Sequence, residues 1–240
     1  MDGLLLESHQ YDLLLEGAWI TIQILVYAFV LGVALSLVMG VARLSERRWI
    51  RGAALVYVEF FRGISTIVLL FIVAIAIPIL FDLSQVSLLA LGVVALGANM
   101  GGYGAEIVRG SILAIPRGQS EASIALNLSN TQRLRHVVLP QAMRIILPPF
   151  GNLTIEILKG TALVSLVGLA DITQAGNFIR QQQLFTADGA DRTVLFLNIL
   201  VLYFVLAQIV NGLFRLGERR LERKYAGGAA DLGTIAEVGK

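Results

Sequence analysis

The sequence predicts an all-α integral membrane protein with five transmembrane helices. Of its 240 residues, 56% are hydrophobic and only 15% are charged. The mean hydropathy of +0.76 sets the chain apart from ordinary soluble domains. The apolar residues occur in uninterrupted runs, and Lys and Arg concentrate in alternate connections. Together these features predict a membrane bundle rather than a soluble core.

Run length locates the helices, because about 20 helical residues cross the hydrocarbon core of a bilayer. Four stretches are long enough and carry no charge: residues 17–42, 63–81, 83–105 and 193–214. A fifth stretch, residues 145–170, is interrupted by Glu156 and Lys159. Such groups are costly against lipid but tolerable against a bundle interior or a cavity. Counting this stretch, we predict spans over about residues 17–42, 58–81, 84–106, 142–169 and 193–215.

The basic residues predict which way the helices run. They follow the first span, occupy the connection before the fourth span and follow the fifth: Arg43, Arg47, Arg48, Arg51, Arg109, Arg117, Arg133, Arg135, Arg144, Arg215, Arg219, Arg220, Arg223 and Lys224. The opposite connections hold only Arg180 and Arg192. By the positive-inside rule the N-terminus is outside and the C-terminus is cytoplasmic, as an odd number of spans requires.

The chain reads as one membrane domain, residues 1–217, followed by a cytoplasmic tail, residues 218–240. The N-terminal segment lacks the basic residues of a cleavable signal peptide, so the first span is expected to be retained. The tail beyond its basic run is small and polar, which favours disorder. A long cytoplasmic connection covers about residues 107–140.

The residues do not predict an enzyme. We find no pattern that pairs a nucleophile with a base and no pattern of metal ligands. The absence of cysteine excludes disulfides and thiolate metal sites. None of the lysines Lys159, Lys224 and Lys240 stands in the Gly-Lys-Ser/Thr context of a nucleotide-binding P-loop. Catalytic, cofactor-binding and metal sites are therefore not expected in this chain.

The connection 107–140 carries helix signals throughout. Residues 121–126 (EASIAL) favour a short helix that ends at Asn127, a residue suited to a left-handed C-terminal cap. Ser129 and Gln132 have the spacing of a capping box, and the helix that they open stops before Pro140. So short a helix needs a packing partner to be stable. On spacing alone, a surface connector and a partner-binding element remain equally open.

Three sequence segments overlap or follow this helical connection. GYGAEIVRGSILAIPRGQSEASIALNLS begins at Gly102, VVLPQAMRIILPP follows it, and LKGTAL ends at Leu163. With Asn152 between the last two, the stretch resembles the permease subunits of the polar amino-acid class of ABC importers, including their EAA loop. Weaker similarity through YVEFFRG extends the resemblance back to the first span.

The resemblance implies the type I ABC importer permease fold, in the bacterial inner membrane. It also implies that the short helix docks in a groove of a separate ATP-binding subunit. This helix would transmit the nucleotide-driven closure of that subunit to the membrane helices. The implied coupling residues are Gly118, Gln119, Glu121, Ala122, Ser123, Ala125, Leu126 and Asn127. The implied partners are two ATP-binding subunits that carry ATP and Mg, a second identical or paralogous permease, and a solute-binding protein. A nucleic-acid partner is not expected.

The chain departs from the usual family pattern at several positions. Asn127 stands where Gly is usual, and Ser123 occupies the third position of the EAA motif. Residues 62–65 read Arg-Gly-Ile-Ser in place of Arg-Gly-Thr-Pro, and Gly160 and Ala162 replace Asp and Ser. These differences bear on the solute more than on the fold.

Four polar residues within the predicted spans are candidates for the solute path: Asn99, Asn152, Glu156 and Lys159. Glu156 and Lys159 are three residues apart and share a helix face. They could form an internal ion pair that only fixes helix packing, or they could line a path for a zwitterion. Asn99 equally suits a hydrogen bond between helices.

The predicted function is that of a permease subunit which imports a polar amino acid or a similar zwitterion. An ectoine-type compatible-solute permease of the same family is the alternative. Hydropathy alone would also fit an ion-coupled transporter or a channel, but neither of these needs an EAA-like loop.

Overall fold

A computed structural model describes residues 6–83, 85–183 and 192–238, with side chains described as far as Arg223. The regular elements of these ranges are helices: α1 (Ser8–Ala42), α2 (Arg48–Gly63), α3 (Thr66–Phe81), α4 (Leu88–Leu113), α5 (Arg117–Ala125), α6 (Asn130–Val167), α7 (Ile172–Gln183) and α8 (Arg192–Val238). The helix α3 contains a π-helical turn at Ile72–Ala76. A second such turn lies in α6 at Leu134–Val138, and α6 ends in a 3-10 segment, Thr161–Val167.

Within the described ranges, four helices are long and apolar enough to cross a membrane, namely α1, α4, α6 and the part of α8 up to Arg223. The predicted span 58–81 is not one helix, because α2 and α3 meet at an angle of 105°. Counting that bent pair as one broken span gives five. The all-α fold is confirmed, and the second span differs from the straight helix that hydropathy predicts.

The break falls at Ile64 and Ser65, whose backbones are extended. The last carbonyl groups of a helix have no partner within that helix. The side chains of α4 supply such partners. The Asn99 amide donates to the Phe61 carbonyl at 2.9 Å and the Tyr103 hydroxyl donates to the Arg62 carbonyl at 3.2 Å. The break is thus stabilised by hydrogen bonds that a run-length count cannot detect.

Small residues bring α1 and α4 into close contact along most of their length. On α1, Gly32, Ser36 and Gly40 repeat every four residues, so they lie on one face, and all three are buried. A side-chain carbon built at Gly32 would lie 2.7 Å from the Met100 sulfur. Such small-residue stripes permit close packing of membrane helices, and this pair forms the centre of the bundle.

An ionic cluster joins α1, α2 and α4 at the end of the bundle where α1 stops. The Arg43 guanidinium lies 3.3 Å from the Glu106 carboxylate and 3.9 Å from that of Glu59. Glu106 also accepts a 2.8 Å hydrogen bond from Arg109. Since the Arg43 side chain is only 14% exposed, these contacts hold the three helix ends together.

At the other end of the bundle, α7 is joined to α8 through a buried carboxylate. Asp171 precedes α7 and accepts hydrogen bonds from the backbone N–H groups of Thr173 and Gln174, at 3.1 and 3.0 Å. It also accepts one from the Tyr203 hydroxyl of α8 at 3.1 Å. Asp171 therefore caps α7 and ties it to α8.

Removing this carboxylate should destabilise the protein. We expect Asp171→Ala to lower the free energy of unfolding by about 1–3 kcal/mol, because it removes a helix cap and the hydrogen bond between α7 and α8. Asp171→Asn keeps one of the two acceptor oxygens and should lose less stability than Asp171→Ala. Thermal unfolding of the purified protein measures both, and equal melting temperatures for the two variants would refute the capping role.

The same carboxyl should make stability depend on pH. Burial raises the pKa of Asp171 above its ordinary value. An acid whose pKa is raised by folding stabilises the folded state below its ordinary pKa, and this contribution is lost as the pH rises towards the raised value. The melting temperature of the wild type should fall across that window, and the melting temperature of Asp171→Asn should not.

The ends of the chain differ from expectation in two ways. The helix α1 begins at Ser8, well before the predicted start of the first span. The tail beyond its basic run, for which composition favours disorder, continues α8 to Val238. Residues 1–5 of the predicted external segment, 184–191 between the last two spans and 239–240 of the predicted tail lie outside the described residues.

Candidate coupling surface and solute path

The short helix α5 is built by local signals at both of its ends. It starts directly after Pro116, and proline favours the extended backbone that precedes a helix. It ends at Asn127, whose φ of +56° is left-handed. The N–H of Leu128 bonds the Ser123 carbonyl at 3.1 Å and that of Asn127 bonds the Ile124 carbonyl at 2.8 Å. This pair is a Schellman cap, as the sequence predicts for Asn127.

Side chains hold α5 against α6. The predicted capping box is confirmed, since Ser129 Oγ accepts from the N–H of Gln132 while Gln132 Oε1 accepts from the N–H of Ser129. The Gln141 amide donates to Gln119 Oε1 at 3.2 Å, which links the two helices directly. The helix α5 is thus fixed to the long helix that follows it and can move with that helix as one body.

Most of the predicted coupling residues form an exposed surface, which we call the α5 surface. It comprises Gly118, Gln119, Glu121, Ala122, Ala125, Leu126 and Asn127. The side chain of Leu126 is 74% exposed. An exposed apolar side chain beside small residues leaves this side of the helix open to a partner.

Two residues differ from expectation. Ser123 is buried, and its hydroxyl donates to the Ser120 carbonyl at 2.6 Å, so its small size serves packing against α6. Glu121 is predicted to open the helix, yet α5 starts four residues earlier at Arg117 and has no acidic residue in its first turn. A favourable interaction of Glu121 with the helix dipole therefore does not apply, because that effect is confined to the first turn.

Three of the four candidate path residues come together on α6. Asn152, Glu156 and Lys159 are exposed and stand four and three residues apart, so they share one face. The opposite face carries the buried Phe150 and Ile157. Glu156 and Lys159 do not approach within ion-pair distance of each other. The ion pairs of Arg43, Glu59, Glu106 and Arg109 lie elsewhere in the bundle. The internal-pair interpretation therefore loses support, and the row faces outward from the chain.

Asn99 does not join this row. It is buried, and its amide donates a hydrogen bond to the Phe61 carbonyl at the helix break. The structure therefore favours a hydrogen bond between helices over a place in the solute path for Asn99.

Residues 32–223 match the family described as binding-protein-dependent transport system inner membrane component. The chain belongs to this family.

Relatives within the family cover nearly the whole chain. The probable amino-acid ABC transporter permease protein y4tF of Sinorhizobium fredii is 40% identical over 87% of both chains. The glutamine transport system permease protein GlnP of Escherichia coli is 34% identical over 88% of this chain and 93% of its own. A crystal structure of an amino acid ABC transporter with histidines matches with a TM-score of 0.76 at 31% identity, over 88% of this chain and 94% of that one. An inward-facing MetNI methionine transporter, at 23% identity and a TM-score of 0.73, shares the fold.

Family membership fixes the general role of the chain. It is a multi-pass permease subunit of the inner membrane, and permeases of this family function with ATP-binding subunits and a binding protein. The permease itself is not an enzyme, because the ATPase activity lies on a separate subunit. Permeases of this family bind no cofactor themselves.

Sequence reasoning about the permease missed two clusters. Glu106 and Arg109 are three residues apart, a spacing that indicates an ion pair. Arg43 reaches this pair from the end of another helix, and the sequence predicts for Arg43 only a cytoplasmic position. Asp171 is followed by an apolar residue and precedes α7 as a helix cap would. Its contact with Tyr203 has no signal in the sequence.

Proposed function

We propose that this permease imports a polar amino acid or a similar small zwitterion. The supporting observation is the exposed row Asn152, Glu156 and Lys159, which places an acid, a base and an amide on one face of a membrane helix. A zwitterion offers complementary charges to such a row. Relatives named for glutamine and for amino acids support the same class.

The row also implies a second permease subunit. Glu156 and Lys159 are costly against lipid, and in this chain they lie on its outside. A second copy or a paralogue that packs with this face would enclose a polar path between the two subunits. We therefore propose a pair of permeases with two ATP-binding subunits, which bind ATP and Mg.

We further propose that the α5 surface is the contact with an ATP-binding subunit and that it lies in the cytoplasm, with the N-terminus outside. The concentration of arginine in the connections beside α5 supports this orientation. A docked short helix fixed to α6 would carry nucleotide-driven closure into the span that holds the polar row.

Uptake in cells tests the solute class. Cells that lack their own transporter would express the full system, and labelled glutamine, arginine, glutamate and ectoine would be offered separately. We expect saturable uptake of at least one amino acid and weaker uptake of ectoine. Uptake of ectoine alone would move the assignment to the compatible-solute alternative.

The same cells test the row. Glu156→Gln and Lys159→Gln should each reduce uptake about tenfold or more and change the preference between acidic and basic amino acids, because each removes one charge from the path. Gln208→Leu, which changes an exposed polar residue of α8, is the matched control and should transport normally. Unchanged uptake and selectivity in both row variants would exclude these residues from the path.

A further inference from the structure

A cavity of about 960 Å³ lies beside α5, at the end of the bundle where α1 and α4 stop. Its walls come from the end of α1 and the start of α2, from the end of α4, and from α5 and the start of α6. Its volume is in the range of small-molecule binding sites. The coupling and transport roles proposed above do not use it.

The charged residues of the cavity lining are mostly basic. Arg47, Arg117 and Arg133 line the cavity, and Glu46 is the one acidic residue among its described lining residues. The guanidinium of Arg133 donates one hydrogen bond to Asn130 at 3.1 Å, which leaves its other donors available. Ser120 and Thr131 add hydroxyl groups. This combination suits a phosphate, since Arg pairs with phosphate through two parallel hydrogen bonds.

The lining also contains apolar residues, and those of α1 continue onto the outside of the bundle. Val38 lines the cavity and is 61% exposed. Val26, Val30 and Ala34 are also exposed on α1 and precede it at intervals of four residues, so the four form one strip along the helix. An acyl chain can lie along this strip while its headgroup occupies the cavity.

The cavity opens on one side of α5. Arg117 and Ser120 line it, and Glu121 of the α5 surface stands four residues after Arg117, which places it at the border of the cavity. Ala122 stands five and two residues beyond Arg117 and Ser120, so at about 100° per residue it points to nearly the opposite side of α5. A ligand in the cavity therefore leaves the Ala122 side of the α5 surface free for an ATP-binding subunit.

We propose that this cavity binds a membrane phospholipid with an anionic headgroup, its phosphate on Arg47, Arg117 and Arg133 and one acyl chain on the α1 strip. A bare anion would leave the apolar lining unused. A zwitterionic phospholipid would place its cationic headgroup beside the arginines. An anionic phospholipid complements both parts of the lining, and the ends of membrane helices lie at the depth of the headgroups.

Native mass spectrometry of the full-length permease, purified in detergent, tests this proposal. Phosphatidylglycerol, phosphatidylcholine and glycerol phosphate would be titrated separately. We expect phosphatidylglycerol to bind at least about tenfold more tightly than phosphatidylcholine, with no competition from glycerol phosphate. The triple variant Arg47→Gln, Arg117→Gln, Arg133→Gln should bind phosphatidylglycerol about a hundredfold more weakly, since each basic residue contributes roughly fivefold.

Two further variants secure the interpretation. Arg219→Gln, Arg220→Gln, Arg223→Gln removes three exposed arginines of α8 and should bind phosphatidylglycerol like the wild type. Thr131→Glu adds a carboxylate at an exposed position of the cavity wall and should weaken binding even if the triple cavity variant fails to fold. Equal binding of the two lipids, an equal loss in the α8 control, or full competition by glycerol phosphate would overturn the assignment.

Discussion

Ala122→Arg should prevent the ATP-binding subunit from co-purifying with the permease and should reduce uptake to background. Ala122 is exposed on the α5 surface, and its neighbours Gly118 and Ala125 are small as well, so a partner can approach this side of the helix closely. A bulky charge there would hold the partner away. Truncations at the centre of an interface cost about 2–4 kcal/mol, and a steric block of similar size lowers association by roughly thirtyfold or more.

The fold should tolerate this change. Ala122 makes no buried contact within the chain, and arginine has a high helix propensity, so the permease should reach the membrane at normal levels. Ala53→Arg, the same substitution at an exposed position of α2, is the matched control and should keep the ATP-binding subunit. If Ala122→Arg transports normally with its partner bound, α5 is only a connector.

Gly40→Ala should destabilise the fold. A side-chain carbon at this position would lie 2.7 Å from Val108 Cβ and 2.8 Å from the Ala105 carbonyl oxygen. The carbonyl belongs to the backbone of α4, so no change of rotamer relieves the contact. Forcing α1 and α4 apart costs about 1–3 kcal/mol by the usual cost of overpacking. The folded yield and the melting temperature of the purified permease should both fall.

Gly212→Ala should not lower the melting temperature in the same experiment. Gly212 lies within α8, and a side-chain carbon there meets nothing within 4 Å. Replacing glycine by alanine in a helix interior is favourable by about 0.5–1 kcal/mol. The melting temperature should therefore stay the same or rise. A fall of equal size in both variants would mean that helix packing at Gly40 is not the cause.

The sequence predicted the bundle well because its main signals are local. Run length places the spans of α1, α4, α6 and α8, and the cap at Asn127 with the capping box at Ser129 defines the connection between α4 and α6. The bend between α2 and α3 was missed because it depends on Asn99 and Tyr103, which lie far along the chain. Hydropathy reports how apolar a segment is and says nothing about such partners.

For the candidate sites too, local spacing predicts which residues share a face, and packing decides where that face points. The spacing of Asn152, Glu156 and Lys159 predicts a shared face, and the structure places them on one. Whether that face points into the chain or out of it depends on the packing of α6 against α4 and α8, which no local pattern contains. The burial of Ser123 follows from the same packing, because the surface of a short helix is set by what it rests on.

Reconstitution into liposomes tests the central claim most directly. The permease would be incorporated alone or with its ATP-binding subunit, with the solute-binding protein and a labelled amino acid on the outside and ATP on the side of the α5 surface. We predict accumulation against a concentration gradient only when the ATP-binding subunit and ATP are both present, and a loss of accumulation with Ala122→Arg. Accumulation by the permease alone, driven by an ion gradient or by the solute gradient, would contradict the account.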